Sequence, residues 1–243
     1  MKNICLTFDD GLKSHYDVAL PLLAENKLKG TFFICGIKNL WKNSSLGMSE
    51  EALDFNNLKD FVNEGMEIGN HSLTHRDLRT LKDEDIIKEV KGMNDLLSFF
   101  GIDDVKTFCY PGYHTDYRVA SLIKSAGFTH ARTGYIYDDT YWSFWNNLTR
   151  DVNFPRPPIS YFPDHCESNW LIKSTGVLNY IYRFDDFVED VTKMPDNAYA
   201  IFTFHGLVEK SLASDFKKIV NYISNEENLT TVNLKDLPLI SEK

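Results

Sequence analysis

The chain has 243 residues, 43% of them hydrophobic and 14% aromatic, with a formal net charge of -9. This length suits one large domain spanning residues 1–243, a size that α/β barrels reach undivided. The negative charge disfavours nucleic acid or an anionic membrane as partner, and a neutral or cationic substrate fits better. No stretch is long and apolar enough to span a bilayer. Met1-Lys2-Asn3-Ile4-Cys5-Leu6 runs straight into an apolar segment, without a charged leader, h-region and cleavage site. The chain as given therefore reads as cytoplasmic, or as a mature form whose leader has been removed. Cys5, Cys35, Cys109 and Cys166 match neither a zinc ribbon nor a disulfide framework, and read as buried, reduced thiols.

In chain order, residues 2–8 read as a buried strand and 17–25 as a helix. Residues 30–34 form a second strand, and 58–63 a short helix stopped before Gly65. Residues 66–68 form the strand that delivers Asn70-His71. Residues 83–100 give the clearest helix, with Ile86, Ile87, Val90, Met93, Leu96, Leu97 and Phe100 at helical spacing and Gly101 ending it. A strand at 106–109 runs into Tyr110-Pro111-Gly112, a helix at 116–126 stops at Gly127, and 128–132 is another strand. The stretch 134–168 breaks the pattern and reads as a loop-rich insertion beside the site. A helix at 187–192, an apolar strand ending in His205, a helix at 214–224 and a short strand at 230–233 complete the chain. This alternation predicts parallel strands with helices outside and a ligand at the carboxyl ends of the strands. Asp9-Asp10, His71, Pro111-Gly112 and His205 all fall at or just beyond such ends, on one rim.

Each of these residues has an ordinary reading when seen alone. Asp9-Asp10-Gly11 is a solvated strand end opening a turn, His71 and His75 are surface residues, and His205 is a satisfied core histidine. Taken together they carry chemistry. Two adjacent buried carboxylates repel unless a cation neutralises one of them. His71 and His75, four apart, present both rings on one face of a helix or tight helical turn. One carboxylate and two imidazoles make a facial ligand set for a divalent metal, and the second carboxylate and His205 remain to move protons. That is the equipment of a metal-assisted hydrolase.

Thr7-Phe8-Asp9-Asp10-Gly11 and His71-Ser72-Leu73-Thr74-His75, with Thr31-Phe32-Phe33-Ile34-Cys35-Gly36 and Gly65-Met66-Glu67-Ile68-Gly69-Asn70 in the expected order, resemble the polysaccharide deacetylase family, the NodB-type carbohydrate esterases. The resemblance implies a deformed (β/α) barrel holding a divalent metal, usually Zn²⁺, with Co²⁺ or Ni²⁺ as alternatives. Carried over by position, Asp10, His71 and His75 are the metal ligands, Asp9 is the general base and His205 the general acid. The backbone N–H of Gly112 is the oxyanion donor. The family's third motif has an arginine that orients the catalytic aspartate, and here that position is Cys109. Another arginine is expected to replace it, with Arg150 as first choice and Arg132 and Arg156 as alternatives. The family's fourth motif is not recognisable. Trp142, Trp145 and Trp170 either stack on a sugar or pack the insertion, and packing is the better reading.

The activity implied is removal of an acetyl group from an N-acetylated amino sugar in a polymer, oligomer or lipid-linked precursor. A formamido sugar or an O-acetyl ester is the close alternative. A non-catalytic carbohydrate-binding protein is the distant one, because a binder needs no base and acid together.

Overall fold

The computed structural model of the protein describes residues 1–36, 50–134, 161–162, 168–177 and 182–240. Its frame is a parallel sheet built from β1 (Lys2–Phe8), β2 (Thr31–Ile34), β3 (Glu67–Asn70), β4 (Thr107–Cys109), β5 (His130–Arg132), β6 (Gly176–Val177), β7 (Tyr199–Phe204) and β8 (Leu229–Thr231). The order is β5-β4-β3-β2-β1-β7-β6, and β8 pairs with the first residues of β1. The two ends of this sheet are drawn together by the segment 172–177. Ile172 donates to the Ala131 carbonyl and accepts from Thr133 N–H, while Gly176 and Val177 pair with Phe202 and Thr203 of β7. The result is the expected deformed (β/α) barrel, with one irregular stave.

Among the described residues six α-helices lie between the strands: α1 (Leu20–Glu25), α2 (Leu58–Asn63), α3 (Asp83–Phe99), α4 (Tyr117–Ser125), α5 (Phe184–Lys193) and α6 (Lys210–Asn225). The helix expected at 17–25 opens instead with a wide π-type turn, His15–Ala19. The last two helices each begin before the residues where apolar spacing becomes legible.

Because successive strand residues point to opposite faces, each strand divides its side chains between two cores. Ile4, Leu6 and Phe8, Phe32 and Ile34, and Ala200, Phe202 and Phe204 face the helices. There the Phe8 ring stacks on Phe32 at 4.4 Å and on Phe204 at 5.0 Å. Cys5, Phe33, Cys109 and Ile201 face the barrel interior and pack with Phe162, Ile172, Leu234 and Leu237. The Gly69 position also faces inward. A Cβ there would meet the Phe33 ring at 2.5 Å, so only glycine lets Phe33 fill the interior.

The N-terminal mouth of the barrel is closed by the C-terminal turn Leu234–Asp236. The buried Glu67 carboxylate accepts hydrogen bonds from Thr31 Oγ1, Thr107 Oγ1 and Lys235 N–H at 2.8, 2.8 and 3.1 Å, and Leu234 N–H donates to Thr31 Oγ1 at 2.8 Å. With that end plugged, the candidate residues at the strand C-termini gather on the opposite rim. Leu234 is fully buried in the plug, so Leu234→Ala is expected to lower the unfolding free energy by about 2–5 kcal/mol in urea titrations, the range for buried leucines. A cost below about 1 kcal/mol would show that the plug does not hold the barrel.

Candidate active site

Asp9 follows Phe8 with its side chain on the interior side, in line with Cys5 and Thr7. Asp10 is brought to the same pocket by its backbone, which takes a left-handed conformation (φ 77°), as does Gly11 after it (φ 66°). Both carboxylates are buried, Asp9 at 1% and Asp10 at 4% exposure. Across the mouth, β3 leads into the loop carrying His71 and His75. The spacing of four predicts a helix or tight helical turn, and the structure shows neither. Ser72 (φ 64°) and His75 (φ 53°) adopt left-handed conformations in an irregular loop, which brings the two rings to 4.8 Å of each other.

The Nε2 atoms of His71 and His75 lie 3.3 and 3.1 Å from the same oxygen, Asp10 Oδ1. His71 Nδ1–H donates to the Cys109 carbonyl at 2.8 Å, which leaves Nε2 as the ring's ligand atom. One donor atom from each of Asp10, His71 and His75 lies within 4.8 Å of the others. Two imidazoles and a carboxylate gathered so closely fit a divalent metal with open coordination positions. A second group, Asp9, His71 and Cys109, meets the same distance. It suits a metal less well, because Asp9 is held by an arginine and burial pushes the Cys109 thiol up, keeping it protonated.

That arginine is Arg132. Arg150 and Arg156 lie outside the described residues, as do Cys166, Trp142 and Trp145, and the guanidinium that reaches Asp9 comes from β5. Arg132 Nη2 donates to Asp9 Oδ1. Both side chains are fully buried, and the guanidinium sits between the Phe33 and Tyr113 rings at 5.3 and 5.4 Å. Cys109 and Arg132 are register partners on β4 and β5. The cation has therefore moved one strand sideways from the motif-three position, and the small thiol leaves it room. Burial alone would raise the Asp9 carboxyl, but Arg132, then His71 and His205, outweigh it and hold the group below its ordinary value. Burial is likewise outweighed at Asp10, by the adjacent imidazoles of His71 and His75, and its pKa lies well below the usual range. Both carboxylates are thus anions at neutral pH.

His205 closes the site from β7. Its Nε2 is 3.9 Å from Asp9 Oδ2, an oxygen with no hydrogen-bond partner among the described residues, and 3.3 Å from the Tyr113 hydroxyl. His205 is 28% exposed and His75 19%, against 2% for His71, so the pocket opens to solvent between the first two. Gly112 sits on the same rim in the turn Pro111–Tyr113, with φ 60°. Tyr113, missed in the sequence, is the residue directly after it. His15, also missed, hides among polar residues in Lys13-Ser14-His15-Tyr16-Asp17, although its ring is fully buried. Trp170 packs outside the barrel, donating from Nε1 to the Phe128 carbonyl at 2.8 Å.

A family model described as polysaccharide deacetylase matches residues 1–131, and the chain belongs to that family. Among curated relatives, a chitin deacetylase of Arthroderma benhamiae is 31% identical over 102 residues, 39% of this chain and 23% of that protein. A chitooligosaccharide deacetylase of Rhizobium leguminosarum bv. trifolii is 33% identical over 40% of each chain. The chain thus matches well under half the length of either. A peptidoglycan-N-acetylglucosamine deacetylase of Bacillus cereus is 29% identical over 174 residues, 69% of this chain and 68% of that one. A family 4 carbohydrate esterase from Streptomyces lividans, solved with acetate, shares the fold with a TM-score of 0.60 at 16% identity, over 99% of this chain and 98% of that chain. A family 4 pseudoenzyme from Bacillus anthracis shares it too, with a TM-score of 0.57 at 16% identity over 100% of this chain and 66% of that chain.

Removing Arg132 leaves a charged carboxylate buried without its counter-ion. Arg132→Met is expected to cost about 3–5 kcal/mol of stability, the range for a broken buried pair. Arg132→Met with Asp9→Asn is expected to recover most of that loss. Urea unfolding of the metal-free proteins at pH 7 checks this, and a single-variant cost below about 1 kcal/mol would contradict the pairing.

Proposed function

We propose that the protein is a metal-dependent hydrolase that removes an acetyl group from an N-acetylated amino sugar. The observation that carries this reading is the meeting, in one pocket, of a three-donor cation site and an anion–imidazole pair 3.9 Å apart. Asp10, His71 and His75 would hold the cation, which in this family is usually zinc. When bound, such an ion lowers the pKa of water and polarises an acyl carbonyl. Asp9, kept anionic and oriented by Arg132, takes the proton of the attacking water through Oδ2. The N–H of Gly112, on the same rim, is the donor assigned to the charge that develops on the acyl oxygen. His205, at the open side, gives a proton to the leaving nitrogen, which cannot depart as an anion.

The matched relatives are named for chitin, chitooligosaccharide and peptidoglycan-N-acetylglucosamine deacetylation, which supports an N-acetylated amino sugar in a polymer, oligomer or lipid-linked saccharide as the substrate class. No helix among the described residues is long and apolar enough to cross a membrane.

The test is acetate release from N-acetylglucosamine oligomers, peptidoglycan fragments and O-acetylated xylan, with formate release from an N-formyl sugar alongside. Metal-stripped protein would be assayed with and without Zn²⁺. Release from the N-acetyl substrates is expected only with metal, and Asp9→Asn is expected to lower it by about 10²-fold or more. Release from O-acetyl or N-formyl substrates alone would redirect the acyl specificity. No release from any of them would defeat the enzymatic reading.

A further inference from the structure

β7 ends at Phe204, so the backbone that carries the candidate acid has no strand to hold it. Residues 205–207 are held instead by side chains from the turn that follows Asp9 and Asp10. Leu12 N–H donates to His15 Nδ1 at 3.2 Å, and His15 Nε2 lies 3.1 Å from the His205 carbonyl oxygen. A backbone N–H can only donate and a carbonyl can only accept, so the ring is neutral with its proton on Nε2. Burial pushes the imidazole down to about 4, which keeps it in that state. Its orientation is fixed by contacts with Phe8 at 5.5 Å and Phe32 at 5.9 Å. Beside it, Leu207 N–H donates to Ser14 Oγ at 2.9 Å, and Ser14 N–H donates to Glu50 Oε1 at 2.6 Å. Gly206 passes directly beneath Glu50, where a Cβ would meet Oε2 at 2.4 Å.

We infer that His15, with Ser14, is a positioning residue that clamps the turn carrying Asp9 and Asp10 to the loop carrying His205, and so sets the place from which His205 protonates the leaving group. His15 is fully buried and touches no substrate. It acts through the backbone of Leu12 on one side and of His205 on the other. A ring accepting from one main chain and donating to another is a rigid spacer, and a displacement of about 1 Å at a reacting group lowers rate on the order of 10²-fold. The inference rests on the deacetylase reading above.

The experiment compares two leaving groups. An amide nitrogen must be protonated to leave, whereas the 4-nitrophenolate of 4-nitrophenyl acetate leaves unaided, so the ratio of amide to ester kcat reports the acid alone. His15→Gln and His15→Asn separate the two halves of the clamp. The glutamine amide reaches as far as Nε2 and keeps a donor for the His205 carbonyl, while the asparagine amide reaches only as far as Nδ1. His15→Asn is expected to lower the ratio about tenfold with KM unchanged, and His15→Gln to restore most of it. Ser14→Ala, which removes one oxygen and leaves the ring in place, is expected to lower the ratio in the same direction. Equal ratios in wild type and all three variants, or a fall in both rates together, would overturn the clamp. A wild-type protein that cleaves neither substrate would instead defeat the underlying reading, before any variant is compared.

Discussion

Two neighbouring carboxylates buried at the end of one strand are the constraint around which this molecule is arranged. A lone buried charge carries a penalty of several kcal/mol, and of two adjacent ones of like sign one would be forced to hold a proton. The fold keeps both ionised by giving each a different counterpart. Asp9 receives a permanent cation, Arg132, brought from β5 and enclosed by aromatic rings. Asp10 receives two imidazoles whose nitrogens converge on one of its oxygens. That convergence is poorly served by protons alone and well served by a divalent cation. The two counterparts set the pair apart: one carboxylate is held by a fixed cation, and the other stands where a divalent ion could be bound.

The barrel serves this separation. Its interior is apolar at mid-height, through Cys5, Phe33, Cys109 and Ile201, and plugged at the far end by Leu234 and Leu237. Among the described residues, the buried carboxylates Asp9 and Asp10 and their partners therefore collect at the opposite rim. The irregular stave that ties Ile172 to Arg132 also holds the strand from which the guanidinium reaches inward. Since a pseudoenzyme shares this fold at a TM-score of 0.57, the backbone alone does not decide activity. The side chains at the rim do.

Much of this could be read from the chain. Asp9, Asp10, His71 and His205 announce themselves because each ends an apolar run, and in a parallel barrel the end of a run is the rim. Helix α3 was legible because its apolar residues recur through four turns. Other features depend on register or on backbone conformation, which the letters do not carry. Nothing in the sequence says that Cys109 and Arg132 stand side by side, so the sequence alone favours Arg150 over Arg132 as the partner of Asp9. The spacing of His71 and His75 imitates a helix, yet left-handed residues at Ser72 and His75 do the work. His15 sits among residues that read as surface, and only the packing of Phe8 and Phe32 around its ring shows it to be structural. The two-residue strand β6 is too short to leave any periodic trace.

The account stands on Asp10, His71 and His75 forming one cation site. The most direct measurement is a calorimetric Zn²⁺ titration of the metal-stripped protein beside His71→Ala. The account predicts one ion bound per chain, with that binding lost in the variant while the fold, followed by circular dichroism, is kept. No saturable binding, or binding that survives the loss of His71, would contradict it.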